Sequence, residues 1–478
     1  MTKKISIDPV TRIEGHLAIE TTIEGGRVAS ARVAGRMYRG FEQLLLGRHP
    51  VDAARITQRI CGICHEVHGI AASIALEDLY KLTPTDNGFL LRELILGLHL
   101  VTDHIFHFYQ LLLPDYLDFK HLAAYSGQDN RIKNLVRMQA QSKTFQHRTL
   151  SDAVADTTLT AEMGLGYIEA INVRKEAGSG LASLGGKVPF CHSILPGGLT
   201  TDVTSDRLMN YGNALKKTAD FVERFFLPQA IALAENFPQY FSIGAAHGNF
   251  YGNGGFSRLD KPLFTAGIMR SGQKTEKVDF GRIAEVAEAS YFDPAGSPQQ
   301  DKPGAYSWVK AMHYDGLPME VGPLARLVVG KDRAFRKLVK KFGQGGTESS
   351  VMMRILARAV EAEKICSYLQ ELLPQYRAGE ATIQSPDMLL TPTGEGRGMS
   401  IAARGALNHE ISTEKGKVTR YRLQVPSAWN FGPTVKKVRG PVEEALVGTE
   451  VRNKTGRDAI EVGRIVRSFD PCLACAIH

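Results

Sequence analysis

Two stretches decide how this chain reads: Arg59-Ile60-Cys61-Gly62-Ile63-Cys64-His65-Glu66-Val67-His68 and Asp470-Pro471-Cys472-Leu473-Ala474-Cys475-Ala476-Ile477-His478. Each holds a Cys-x-x-Cys pair, which alone is a redox dithiol, half of a zinc site or part of an iron–sulfur motif. A structural zinc ribbon keeps its pairs within a few tens of residues, whereas these stand at opposite ends of the chain. Each pair has a histidine three or four residues beyond its second cysteine, and an Arg or Asp two residues before its first. That symmetry points to one buried four-thiolate site with charge and hydrogen bonding around it. Four soft thiolates suit nickel, iron, zinc or copper(I) and disfavour hard cations.

Working outward, a site fed by both ends argues for one interwoven domain over 1–478, although length alone suggests about three units. The expected fold is mainly α with small β sheets. Residues 1–50 are β-rich, with KISIDP, HLAIETTIEGG and RVASARVAG alternating around a Gly-Gly turn. Residues 51–240 form a helical core. It contains Ile70 to Tyr80, the apolar run Phe89 to Leu113, a polar and partly helical stretch over 130–187, and Ser205 to Phe237. Residues 241–347 are a loop- and strand-rich insert. Residues 348–478 begin with an amphipathic helix over Glu348 to Leu373 and end in the metal-binding part. The run Gly394-Glu395-Gly396-Arg397-Gly398 lacks dinucleotide-binding spacing and reads as a loop.

Hydrophobic residues at 43% and charged residues at 23% exclude disorder, collagen and a disulfide-dense scaffold. The net charge of +8 is compatible with an anionic partner. Its densest run, Lys331 to Lys341, reads as a solvated helix resting on Ala334, Phe335 and Leu338, and no nucleic-acid motif accompanies it. Phe89 to Leu113 is long enough to span a bilayer, but Arg92, Glu93, Asp103 and three histidines mark it as a buried bundle helix. Met1 to Ile7 contains no apolar signal region. Cys191 and Cys366 stand alone and read as small buried hydrophobes.

The pattern R-x-C-G-x-C-x-x-x-H with D-P-C-x-x-C-x-x-H resembles the signature pair of the nickel–iron hydrogenase large subunit. Asp8 to Leu17 (DPVTRIEGHL), Tyr38 to Arg48 (YRGFEQLLLGR), the Asp103 helix, Ala403 to Leu407 (ARGAL) and Val425 to Asn430 (VPSAWN) fall where that family has similar blocks. The resemblance covers the whole chain and implies a central long-helix bundle. It also implies that Cys61, Cys64, Cys472 and Cys475 bind nickel. Cys64 and Cys475 would bridge to an iron that carries carbon monoxide and two cyanides. In the family, dihydrogen is split heterolytically, which requires a Lewis acid and a nearby base.

Carried over residue by residue, the terminal thiolate Cys472 is the implied proton acceptor and Glu14 the relay carboxylate beside it. Without the family, Glu14 would read as a salt-bridge partner of Arg12. Arg404 resembles the arginine above the open metal position. A guanidinium is a poor base, so it is expected to hold a cyanide by hydrogen bonds. Ser427 resembles the hydroxyl donor to the other cyanide. Asp103 matches an acid near Arg404, a buried Asp needing a partner, and Asp470 is expected to do likewise. His68 is placed to hydrogen-bond a bridging thiolate. Glu42 and His478, with the Gln424 carbonyl, resemble the ligands of a separate magnesium or iron ion. Ending at His478 resembles the form processed after nickel insertion. Ala403 replaces the proline usual before the arginine, which predicts a looser hold on Arg404. Cysteine at 472, where the selenium-containing branch has selenocysteine, gives the all-sulfur type.

Once four cysteines serve nickel, Cys191 and Cys366 cannot hold an iron–sulfur cluster. The electrons therefore require an iron–sulfur small subunit, in a heterodimer or a dimer of heterodimers, with a cytochrome as an example of the final acceptor. The TQRICGICHEVHG and HFYQL segments resemble the respiratory uptake group, which implies a periplasmic or membrane-associated location reached through the small subunit. A cytoplasmic cofactor-reducing hydrogenase is the alternative among enzymes. Other readings are a hydrogen-sensing member of the family, a cysteine-free relative such as the quinone-site subunit of respiratory complex I, and a structural zinc protein.

Overall fold

The N-terminal alternation forms a three-stranded antiparallel sheet: β1 (Lys3–Ile7), β2 (Leu17–Glu24) and β3 (Arg27–Gly35). Gly25 and Gly26 turn β2 into β3 with φ of +56° and +83°, the handedness that a tight hairpin needs. Leu17, Ile19, Val28 and Val33 are buried, so one face of the hairpin is core. The computed structural model describes residues 2–141, 150, 152–293, 296–384, 392–452 and 459–478, and part of the polar stretch over 130–187 lies outside them.

The first cysteine pair leads directly into helix α1 (His65–Tyr80), and the long apolar run is α2 (Asp86–Phe106). Thr85 caps α2 by accepting the Gly88 N–H, which satisfies one of the first-turn donors. A wider turn over His107–Leu112 ends it. Helices α3 (Thr157–Gly185), α4 (Ser205–Phe221) and α5 (Val351–Leu372) complete a bundle in which α2 packs on α3, α3 on α4, α4 on α5 and α5 on α2. Among the described residues no helix is long and apolar enough to cross a membrane. α5 departs from expectation. It is buried on every side through its first three turns, Arg354, Arg358 and Glu361 included: Arg354 pairs with Glu320 and Glu361 with Arg326 inside the core, while Arg358 donates to the carbonyls of Arg354 and Ser468.

A second sheet, β4 (Gly394–Ala402), β5 (Gly405–Glu414) and β6 (Lys417–Gln424), lies against α1. The glycine run expected to be a loop is thus the start of β4. A Cβ at Gly398 would stand 2.0 Å from the Ala71 carbonyl oxygen and one at Gly396 2.1 Å from that of Ala75. These glycines are the condition for laying a strand directly on the helix that carries the cysteines. Other small sheets fill the insert, among them Phe250–Gly252 paired parallel with Glu320–Val321. The basic run is a short helix, Arg333–Lys340, that buries Phe335 and Val339 and leaves Ala334 exposed. The last long helix, α6 (Ile460–Ser468), packs on α5, and a short helical turn over Leu473–Ala476 follows it. From there the chain enters the interior, where every residue from Phe469 to His478 is buried. One hydrophobic core runs from Ile5 to Ile477.

Candidate metal centre

Backbone pairing brings the chain ends together. Leu473 N–H donates to the Glu14 carbonyl at 2.8 Å and Glu14 N–H to that of Pro471 at 3.3 Å, which sets Glu14 alongside Cys472. Gly15, at φ +82°, lies so close that a Cβ would be 2.4 Å from the Ala474 nitrogen. Arg39 clamps the two cysteine segments, because its guanidinium donates to the carbonyls of Ile60, Arg59 and Ala474.

The sulfur atoms of Cys61, Cys64, Cys472 and Cys475 all lie within 4.8 Å of one another, buried. Cys472 and Cys475 are 2.8 Å apart, Cys64 and Cys475 3.2 Å, Cys61 and Cys472 3.4 Å. A cation at a usual metal–thiolate distance of about 2.3 Å implies tetrahedral sulfur–sulfur edges of ~3.8 Å, inside the observed span. The site favours the thiolate form at Cys61 alone. Burial opposes ionisation of Cys61, but the neighbouring thiols and Arg404 hold it well below its usual range. The amides of Ile63 and Cys64, at the start of α1, donate to its sulfur at 3.2 Å. Cys64 is pushed up chiefly by its bond to Cys472, and Cys472 and Cys475 chiefly by burial. One thiolate among four crowded thiols is an arrangement that a soft cation completes.

Arg404 occupies the two-residue turn between β4 and β5. Its guanidinium is fixed by the Asp470 carboxylate at 3.0 Å, the Asp470 carbonyl at 3.1 Å and Asp103 at 3.5 Å. The alanine at 403 therefore does not leave Arg404 without a hold. Beneath the turn, Arg326 forms a two-point pair with Glu361 and reaches the Ala403 carbonyl at 3.5 Å. Burial and the neighbouring Asp470 push Asp103 up to about 7 despite Arg404. Asp470 is held below its usual value, since Arg404, His107 and Arg358 outweigh its burial.

Glu14 is half-buried, and burial and Cys61 raise its pKa. It is not the partner of Arg12, whose charge goes to Asp115. Ser427, in the short helix Pro426–Asn430, accepts the Cys472 N–H at 2.9 Å, leaving its own O–H to donate. His68 Nε2 lies 3.4 Å from the Cys475 sulfur.

The structure brings together Glu42, on the short helix Phe41–Leu45, and His478, whose Nε2 is 3.3 Å from the carboxylate. Burial works against Glu42, yet His478, Lys310 and the Leu423 amide hold it down at about 2. Leu423 N–H donates to Glu42 at 2.9 Å. A strand residue projects its N–H and C=O to the same edge, so Leu423 rather than Gln424 turns its carbonyl towards Glu42. Gln424 uses its side-chain oxygen to accept from Asn408 at 2.9 Å.

The sequence reading missed Arg39, although it stands inside the quoted YRGFEQLLLGR block, and it missed His409, which bonds His68 at 3.1 Å.

The family described as nickel-dependent hydrogenase matches residues 39–165 and 129–478, and a second, described as HoxL-like, matches 4–34. The chain is 34% identical to the periplasmic [NiFeSe] hydrogenase large subunit of Desulfomicrobium baculatum, over 99% of this chain and 95% of that protein. It is 29% identical to the hydrogenase-2 large chain of Escherichia coli, over 100% and 97%. The Ni-Fe-Se hydrogenase of D. vulgaris Hildenborough in its as-isolated oxidized state superposes with a TM-score of 0.90 at 33% identity, covering both chains fully.

Proposed function

This chain belongs to the nickel-dependent hydrogenase family, as the catalytic large subunit of a nickel–iron enzyme, and from that membership we propose that it cleaves dihydrogen reversibly to protons and electrons. The observation that carries the proposal is the convergence of four buried cysteine sulfurs from the two chain ends within 4.8 Å. Cys61 and Cys472 would be terminal ligands of nickel, and Cys64 and Cys475 would bridge to an iron bearing carbon monoxide and two cyanides. When bound, that centre supplies the Lewis acidity and redox capacity for heterolytic cleavage.

The chain's own groups handle the proton and the pocket. Cys472 Sγ accepts the proton, and Glu14, paired to it through the backbone, passes the proton outward, because a carboxyl with a raised pKa exchanges protons nearer neutrality. Arg404 offers fixed guanidinium donors and the Ser427 hydroxyl a free proton, both suited to holding cyanide nitrogens. Asp103 and Asp470 hold Arg404 in place. Glu42 and His478 would bind a magnesium or iron ion, with the carbonyl of Leu423 better placed than that of Gln424 to assist.

Electrons would leave through an iron–sulfur small subunit and then to an acceptor such as a cytochrome. The periplasmic relative and the resemblance to uptake enzymes support a periplasmic or membrane-associated location reached through that partner. The interweaving of both ends at one site supports a single domain over 1–478.

The test is infrared spectroscopy of the protein purified with its native partner. One carbonyl and two cyanide bands that shift under hydrogen support the proposal, and their absence from protein with stoichiometric metal overturns it. Turnover of hydrogen by the intact complex separates an enzyme from a sensor.

A further inference from the structure

Behind the bridging thiolate runs a line of buried groups that the cleavage chemistry does not use. His68, on α1, sends Nε2 to the Cys475 sulfur at 3.4 Å and Nδ1 to Nε2 of His409 at 3.1 Å. His409, on β5, sends its own Nδ1 to the Tyr421 hydroxyl at 2.8 Å. Tyr421 pairs across the sheet with Ile411, so it is the diagonal neighbour of His409 on the same face, within reach of a large side chain. All three side chains are almost wholly buried, with exposures of 1%, 0% and 3%.

A neutral imidazole has one N–H and one acceptor nitrogen, so each bond in the line dictates the next. A metal-bound thiolate has no proton and can only accept. His68 must then donate from Nε2 and accept at Nδ1. His409 must donate from Nε2 and accept at Nδ1. That last acceptor needs an O–H, which Tyr421 supplies. A sulfur held by the metal thus fixes the tautomer of both histidines, and the two outer groups leave His68 one orientation.

We propose that His409 and Tyr421 are positioning residues that lock His68 as a hydrogen-bond donor to Cys475 and so set the electron density which that thiolate gives the metals. The inference rests on the nickel–iron reading above and extends it to two residues outside the quoted family blocks. A hydrogen bond to a thiolate withdraws charge from it, as outer partners of metal ligands generally tune the metal.

The experiment compares infrared carbonyl bands and nickel paramagnetic resonance of the holoenzyme with its partner in wild type, Tyr421→Phe, His409→Phe and His409→Gln. Losing the relay leaves Cys475 a stronger donor. The carbonyl band should move to lower wavenumber in Tyr421→Phe and further in His409→Phe, and return towards wild type in His409→Gln, whose amide both donates and accepts. Unmoved bands in both Tyr421→Phe and His409→Phe at full metal content would overturn the proposal. So would a His409→Gln shift equal to that of His409→Phe. Should His409→Phe fail to take up metal, Tyr421→Phe decides alone, a shift supporting the relay and none overturning it. Absence of carbonyl and cyanide bands from wild type itself would instead count against the nickel–iron reading.

Discussion

At the scale of single residues, Arg404 and Asp103 show how a buried charge is made specific. Arg404 meets Asp470 at two of its atoms, a fork geometry that lysine cannot reproduce. Arg404→Lys keeps the positive charge between the carboxylates, so the protein should fold and load nickel. Hydrogen oxidation should fall by about 100-fold, the size of loss seen when one fixed donor is removed from an active site. Turnover per nickel is the measurement. Asp103 stands at about 7 in the folded chain against an ordinary 3.8, so the folded state binds the extra proton between those values. Its contribution to stability is present in full below about pH 4 and is lost as pH rises through 7, at up to about 1.4 kcal/mol per pH unit. Asp103→Asn should remove that slope. Urea unfolding should therefore show the variant comparing better with wild type at pH 8 than at pH 5.

At the scale of elements, the contact between α1 and β4 decides where the first cysteine pair sits. A Cβ at Gly398 would meet the backbone of Ala71 and Ala75 at 2.0 and 2.3 Å, and backbone atoms cannot rotate aside. Gly398→Ala should force strand and helix apart at a cost of about 1–3 kcal/mol or more. It should also lower nickel occupancy, because Cys64 is the N-cap residue of α1. Gly178→Ala is the contrast. A Cβ there, within α3, meets nothing within 4 Å, and alanine's helix propensity should stabilise by about 0.5–1 kcal/mol. Chemical denaturation and metal analysis of the two variants separate close packing from a general intolerance of alanine. The same contact explains why the glycine run was not legible as a strand. Glycine lowers strand propensity, and its usefulness here exists only because a helix lies 2 Å from where a side chain would be.

At the scale of the whole molecule, the metal site is the knot that ties the first and last thirds of the chain. Cys61 and Cys472 are 411 positions apart, and Arg39 bonds across a separation of 435. A ligand that binds only this assembled state stabilises it by mass action. Metal loading should therefore slow amide hydrogen exchange in residues 59–68 and 470–478 together, along with the N-terminal hairpin. The outer faces of α3 and α4 should exchange as before. Protection confined to one of the two cysteine segments would contradict a shared site.

What the sequence determined by itself is what local chemistry carries. The two Cys-x-x-Cys pairs, their soft-metal character, the alternation of β2 and β3 and the largely apolar run of α2 all depend on residue type and short spacing. Local chemistry did not show which groups surround the sulfurs: the family resemblance named Glu14, Arg404, Ser427 and His68, and tertiary structure decided how each is held. Glu14 reaches Cys472 through backbone bonds rather than pairing with Arg12. Leu423, not its neighbour, faces Glu42 because strand residues alternate edges. Arg326, Glu361, His409 and Tyr421 acquire their roles from partners brought by other elements. A polar side chain in an apolar run reads the same whether it is merely satisfied or holding a catalytic group. The difference lies in the direction of one or two hydrogen bonds, and direction exists only once the chain has folded.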